Sequence, residues 1–278
     1  MTSISGKVAV VTGAGSGIGR ALAVGLAERK ARLAISDVNA EALGATADQV
    51  KALGADVHVQ TLDVADRTAM AEYASAVSQH YGIVHQVYNN AGIAGGTTVL
   101  DSDYSDYERV LNINLWGVIH GTKEFLPHLI ASGDGHVVNI SSLNGFMAQA
   151  ALSNYCTSKF AVRGFTESLR MEMLSAGLPV KVTVVHPGGV KTNIANAALQ
   201  EAQQAGLATT EHEARTRRYN EKLLKMPPAK AAAVILDGVV AGKSRILVGN
   251  DARVVDLLVR IAPRLYPRLM VALDGRLT

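Results

Sequence analysis

Short apolar runs alternate with longer segments of helical period from residue 7 to about residue 248, and few folds accommodate such a chain. The apolar runs occupy residues 7–12, 32–36, 56–61, 84–88, 136–140, 180–185 and 245–248. Their continuous apolar character suits strands covered on both faces, as in a parallel sheet. Helical patterns lie between them at 17–29, 40–53, 66–80, 103–131, 154–176 and 228–241. Strand–helix alternation with right-handed crossovers predicts an α/β fold, a doubly wound parallel sheet of about seven strands with helices on both faces. The core has ample material, since 48% of residues are apolar and only 18% are charged. No repeat, low-complexity segment or Gly/Ser-rich linker divides the chain, so residues 1–278 are expected to form one domain.

Two regions depart from the alternation. Residues 188–227 form a mostly polar excursion after the sixth strand and end in Met226-Pro227-Pro228. The excursion leaves the carboxyl end of a strand, where doubly wound sheets bind ligands. It is expected to be a mobile substrate loop that closes over bound ligands. Residues 251–278 form a tail broken by Pro263 and Pro267.

The first strand runs into Thr12-Gly13-Ala14-Gly15-Ser16-Gly17-Ile18-Gly19, and a helical pattern follows. Side chains here would block a tight turn, or hold a pyrophosphate away from the helix N-terminus, whose free amides and dipole favour anions. The GxGxxG fingerprint would need glycine where Ile18 stands. The spacing that fits is TGxxxGxG, through Thr12, Gly13, Gly17 and Gly19. The second strand leads to Asp37, whose carboxylate can accept from adenosine ribose hydroxyls and would repel a 2′-phosphate. Asn39 can cap the next helix in its place. Positions 16 and 38 hold Ser16 and Val38, so no cation is expected there to welcome a phosphate. These features favour NAD over NADP.

Further motifs follow in order: Asp63-Val64, then Asn89-Asn90-Ala91-Gly92, Asn114, Ser141-Ser142, Tyr155-Cys156-Thr157-Ser158-Lys159 and His186-Pro187-Gly188-Gly189-Val190, with Thr192 beyond. Of the eight tyrosines, only Tyr155 has a lysine four residues later, and it stands thirteen positions after Ser142. With these motifs, residues 6–250 resemble the short-chain dehydrogenase/reductase family in its short, single-domain branch with a Rossmann-type sheet. The resemblance implies a catalytic set of Asn114, Ser142, Tyr155 and Lys159. It implies that Gly13, Ser16, Gly17, Ile18, Gly19 and Asp37 bind the cofactor. It extends that surface to Asp63, Val64, Asn90, Ala91, Gly92, Tyr155, Lys159, Pro187, Gly188, Val190 and Thr192. It also implies a water held by Asn114 beside Lys159, and a homo-oligomer, a tetramer in particular, paired through the long helices.

The tyrosine–lysine spacing has its own chemical logic. Hydride transfer to a ketone leaves an alkoxide that needs a proton, and the reverse reaction must remove one. A free phenol, with a pKa of about 10, is a poor base at neutral pH. Four residues of helix put Tyr155 and Lys159 on one face. An ammonium about 5 Å away, at an effective dielectric near 20, favours the phenolate by roughly 3 kcal/mol, or about two pKa units. Ser142 can donate to the substrate oxygen. Ser141 then has the plain role of a satisfied strand-end hydroxyl, because neighbours on a strand face opposite ways.

The expected function is hydride transfer between a nicotinamide cofactor and a ketone or secondary alcohol. Residues 143–148 with Leu152, Leu199, Leu207 and Met226 suggest an apolar pocket, hence a bulky hydrophobic small-molecule substrate. A non-catalytic nucleotide sensor on the same fold is the alternative, but it has no need of the Asn–Ser–Tyr–Lys set. An epimerase or dehydratase would call for a larger C-terminal region.

The formal net charge of +3 is too mild to suggest nucleic acid. One cysteine, Cys156, fits a reducing compartment and reads as helix packing. No secretory signal pattern and no run of about 20 apolar residues is present, so a cytoplasmic location without membrane insertion is expected. No HxH or HExxH pattern suggests a metal site. Arg260, Arg264 and Arg268 recur at four-residue spacing in the tail, where a solvated face or intersubunit pairing is the plainer reading and an anionic surface the other.

Overall fold

A computed structural model describes residues 3–96, 98–204, 217 and 224–275. Its strands are β1 (Val8–Thr12), β2 (Arg32–Asp37), β3 (Val57–Thr61), β4 (Gln86–Asn89), β5 (Gly135–Ile140), β6 (Val180–Pro187) and β7 (Arg245–Val248). They form one seven-stranded sheet in the order β3-β2-β1-β4-β5-β6-β7, and every pairing is parallel. The winding reverses between β1 and β4. That reversal opens a crevice at the carboxyl ends of the two strands.

Strand alternation divides the core into two layers. Ala9 and Val11 of β1 pack with α1 (Gly17–Glu28), α2 (Ala40–Ala52) and α8 (Pro228–Val240). Val8 and Val10 face α3 (Arg67–Tyr81), α5 (Gly117–Ala131) and α6 (Ser153–Ser175). Burial on both faces explains the unbroken apolar run Val8–Val11 of β1, whereas β3, at the sheet edge, has no buried residue.

The pattern at 103–131 suggested one helix. The structure instead has α4 (Tyr104–Leu111), a π-helical turn at Asn112–Trp116, and then α5. A π turn inserts one residue into the helical ladder and changes the phase on either side. Here it carries Asn114, which is fully buried. Periodicity alone does not expose a single inserted residue in a segment that is helical throughout.

The tail is more ordered than its two prolines suggested. It forms α9 (Asn250–Ile261) and α10 (Tyr266–Gly275). Pro263 lies in the break, and Pro267 falls in the first turn of α10, where a missing N–H costs no intrahelical bond. The two ends of the excursion are stitched together. Val190 bridges Met226 in parallel, and the Lys191 amide donates to the Met226 carbonyl at 2.8 Å. Between them lies α7 (Ile194–Gln204), while 205–216 and 218–223, with Leu207, are outside the described residues. No helix among the described residues is long and apolar enough to cross a membrane.

Buried polar groups join the layers. Asn89 Nδ2 donates to Thr122 Oγ1 and Asn139 Oδ1, and Asn139 Nδ2 donates to Thr166 Oγ1. His136, fully buried on β5, lies 2.8 Å through Nε2 from Thr183 Oγ1. Thr183 gives its own proton to the Lys243 carbonyl, so His136 Nε2 is the donor. Burial lowers the His136 pKa from 6.5 to about 4. The native state therefore holds this ring neutral, and the unfolded chain takes up a proton first as pH falls. Its contribution to stability is complete above pH 6.5 and is lost as pH falls to about 4. We expect the urea midpoint to drop across this window, and to drop less steeply in His136→Gln. An unchanged slope in the variant would place the titration on another group.

Candidate active site

Two backbone segments meet at the switch point. Thr12 Oγ1, at the end of β1, accepts the amides of Asn90 (3.1 Å) and Ala91 (3.2 Å). Asn90 Nδ2 donates back to the carbonyls of Thr12 (3.0 Å) and Gly13 (3.2 Å). Gly13 has φ +65°, and a Cβ there would lie 2.7 Å from Ala91 Cα. A Cβ on Gly19 would overlap the Gly13 carbonyl. Neither position has room for a side chain. Ser16 is the N-cap of α1, yet its hydroxyl makes no capping bond. The amides at the start of α1, including Gly17 and Ile18, are thus left without a side-chain cap, as an anion site requires.

Asp37 closes one side of this cradle. Its carboxylate accepts the Gly15 amide (2.8 Å) and the Asn39 amide (2.9 Å). Asn39, not Asp37, caps α2 by accepting the Ala42 amide. A carboxylate has about four lone-pair sites, so Asp37 retains capacity for further donors. One cation does reach this region, contrary to the expectation drawn from positions 16 and 38. Arg20 donates to the carbonyls of Gly15 and Ala42 and to Thr46 Oγ1. These bonds tie α1 and the glycine turn to α2.

The other cofactor-side residues surround the same crevice or brace it. Asp63 is exposed after β3 and accepts the Ala65 amide. Val64 is buried against Gly117, and its carbonyl accepts from His120 Nδ1. Pro187 ends β6. The Gly188 amide donates to Val248, and the Gly189 amide donates to Asp251 Oδ2 at 2.6 Å. Val190 is buried, while the Thr192 methyl lies against Gly17, 3.1 Å from where a Cβ would stand. An open cleft of about 310 Å³ borders Thr192, Asn193, Asn196 and Leu224.

The proton-transfer candidates gather beyond β5. Ser142 caps a short 3₁₀ turn and accepts the Asn144 amide at 3.1 Å. Tyr155 and Lys159 occupy adjacent turns of α6, with Nζ 5.8 Å from the tyrosine ring centre. Lys159 is buried, and Nζ donates to the Ile140 carbonyl at 3.1 Å. Burial lowers its pKa from 10.5 to about 8. Asn114 brackets Ile93, accepting its amide (2.8 Å) and donating to its carbonyl (2.9 Å), and it also donates to Ser158 Oγ. Gly92 separates Asn114 from Lys159. A Cβ there would lie 3.1 Å from Asn114 Oδ1 and 3.4 Å from Lys159 Nζ. Ser141 is buried and donates to the Lys159 carbonyl.

Some residues read differently in three dimensions. Phe146 and Met147, expected in an apolar pocket, are only 4% and 2% exposed and belong to the packed interior. Cys156, by contrast, is the packing residue that the sequence suggests: it is buried, and burial raises its thiol pKa. His186 opens a sequence motif that gave it no role of its own. Its Nδ1 donates to the Ser142 carbonyl at 2.7 Å, and burial lowers its pKa to about 4. Asp251 and Arg20 carry no signal in the sequence, because each acts on backbone groups outside its own motif.

A doubly wound sheet with a glycine cradle at its switch point has the architecture of a dinucleotide-binding protein. Residues 7–203 match the short chain dehydrogenase family. The chain is 51% identical over 273 residues to the putative oxidoreductase SadH of Mycobacterium tuberculosis, across 98% of this chain and 96% of that one. It is 32% identical over 205 residues to the 3-oxoacyl-[acyl-carrier-protein] reductase FabG of Thermotoga maritima, across 74% and 82%. A short chain dehydrogenase/reductase from Burkholderia phymatum, solved in complex with NAD, superposes with a TM-score of 0.87 at 30% identity, across 96% and 97%. The chain belongs to the short-chain dehydrogenase/reductase family of oxidoreductases.

Two glycines differ sharply in the room around them. Gly44, within α2, has nothing within 4 Å of where a Cβ would stand, unlike Gly19. We expect Gly19→Ala to weaken NADH binding at least about tenfold in a fluorescence titration, the order of 1.4 kcal/mol. Gly44→Ala should leave binding unchanged and add roughly 0.5–1 kcal/mol of stability. Undiminished binding by Gly19→Ala would refute the cradle.

Proposed function

We propose that this chain transfers a hydride between NAD(H) and an apolar ketone or secondary alcohol, as an alcohol dehydrogenase or carbonyl reductase, with Tyr155 moving the proton. The observation that carries this reading is the buried Lys159 ammonium 5.8 Å from the Tyr155 ring, bonded to the Ile140 carbonyl at the end of β5 and next to Gly92. The nicotinamide cofactor supplies or accepts the hydride. Residues of the cradle, from Gly13 to Gly19, would hold its pyrophosphate, and Asp37 its adenosine ribose. Thr192 would stand towards the nicotinamide.

The chain's own groups handle the oxygen and its proton. Ser142 Oγ accepts the Asn144 amide, which leaves its proton free to donate to the substrate oxygen. Tyr155 then gives its proton to the developing alkoxide, or takes one from the alcohol in reverse. The Lys159 charge stabilises the phenolate left behind. With a pKa of about 8, that lysine carries its charge at neutral pH and loses it as pH rises further. Asn114 and Lys159 flank Gly92, and Asn114 would pass protons onward through a water.

Leu143, Leu152 and Leu199 remain partly exposed and supply the apolar wall. One relative is, by its name, a reductase of 3-oxoacyl groups, which carry a ketone. Exposed Trp116 and Phe160, next to α5 and on α6, support pairing of copies through these helices.

Tyr155→Phe removes one oxygen and should abolish nearly all turnover while leaving NADH affinity within about twofold. Retention of more than about a tenth of kcat would assign the proton to another residue. For the cofactor, kcat/KM should favour NADH over NADPH, and Asp37→Ala should narrow or reverse the ratio. A parent enzyme that prefers NADPH would defeat the Asp37 assignment and turn attention to Arg20.

A further inference from the structure

The tail helices carry an apolar stripe that the fold leaves uncovered. Val254, Leu257 and Ile261 recur at three- and four-residue spacing on α9, which places them on one face. Leu265, just before α10, and Leu269, four residues on, add exposed apolar surface, with Val271 on another side of α10, and all six are between 47% and 73% exposed. The opposite side of α9 is anchored, with Ala252 buried and Asp256 largely so.

The charges around the stripe are unbalanced. Asp256 is held by Arg245 at 2.6 Å and Arg260 at 3.1 Å, and Asp251 accepts the Gly189 amide. Both carboxylates of α9 are therefore turned to internal work. Arg253, Arg264 and Arg268 are exposed and have no ion-pair partner among the described residues. Arg260 is itself 61% exposed beside Ile261. An exposed apolar stripe bordered by arginines is the pattern of a helix lying in a membrane interface.

We propose that α9 and α10 dock this protein on an anionic lipid surface, with the apolar stripe in the headgroup boundary and the arginines on lipid phosphates. A second copy is the poorer occupant. A two-fold contact pairs this face with the same face of the other copy, and both α9 carboxylates, Asp251 and Asp256, are already engaged and unavailable to its arginines. Anionic lipid satisfies the apolar and cationic groups together. Tyr266 of α10 adds a positional reason, since its hydroxyl accepts the Ala148 amide at 3.5 Å, in the segment that follows Ser142. Docking would put the mouth of the site beside the bilayer, where apolar molecules partition.

Co-sedimentation of the full-length protein with phosphatidylcholine vesicles, with and without phosphatidylglycerol, tests the proposal. We expect binding only with phosphatidylglycerol, weakening as salt is raised. The triple substitution Arg253→Glu, Arg264→Glu and Arg268→Glu should lower the partition coefficient about a hundredfold or more at low salt. Leu257→Ser with Ile261→Ser should also release the protein. NADH binding, which uses none of these residues, verifies that each variant is folded. Absence of binding to anionic vesicles, or equal binding by the triple variant, overturns the proposal. So does a loss of oligomer in Leu257→Ser/Ile261→Ser, measured by sedimentation without lipid, because the stripe would then be an interface between copies.

Discussion

Backbone meets backbone where the turn after β1 touches the segment after β4, and the rest of the site depends on that approach. Thr12 and Asn90 each donate or accept across the gap, and Gly13 and Gly19 leave no Cβ to hold it open. The approach fixes the start of α1, whose first amides have no side-chain cap. It also places Gly92 beside Asn114 and Lys159. A single steric constraint thus links the nucleotide side of the crevice to the proton-transfer side.

The sheet was legible because burial on both faces writes itself into sequence as apolar-rich runs, as in residues 8–11 and, interrupted by Lys181 and Thr183, in 180–185. Glycines in the turn were legible because no other residue meets their steric demand. Less could be seen where function rests on a local exception or a distant partner. The π turn at Asn112–Trp116 has ordinary helix composition, so the burial of Asn114 had no periodic signature. Arg20 bonds to carbonyls, and a carbonyl has no letter in the sequence. Phe146 and Met147 show the opposite failure. Apolar letters beside the serine suggested a pocket, but apolar letters do not distinguish a wall from a core.

A chain of contacts runs from the tail to the serine. Asp256 of α9 grips Arg245 of β7, and Arg245 lies 5.3 Å over the Phe146 ring. Phe146 meets His186 edge to face, and His186 donates to the Ser142 carbonyl. Ion pairing holds the Asp256 carboxyl low, at about 2, while burial keeps His186 neutral. The interactions differ in kind, yet each orders its neighbour. The C-terminal helices are thereby coupled in space to the segment that presents Ser142, although more than a hundred residues separate them.

The clasp between Thr12 and Asn90 also has a consequence for how the chain is made. Its partners are 78 residues apart, and β1 is flanked by β2 and β4 rather than by two sequence neighbours. During synthesis the first strand emerges early but waits, with one edge unpaired, until β4 follows. Long-range parallel pairing of this kind is slow, because loop closure precedes any gain in contacts. Proteins grow from the N-terminus at about 5–20 residues per second, so the wait lasts seconds. The nucleotide crevice is therefore a late product of folding, and a nucleotide present in the cell would favour only those chains that have already closed it.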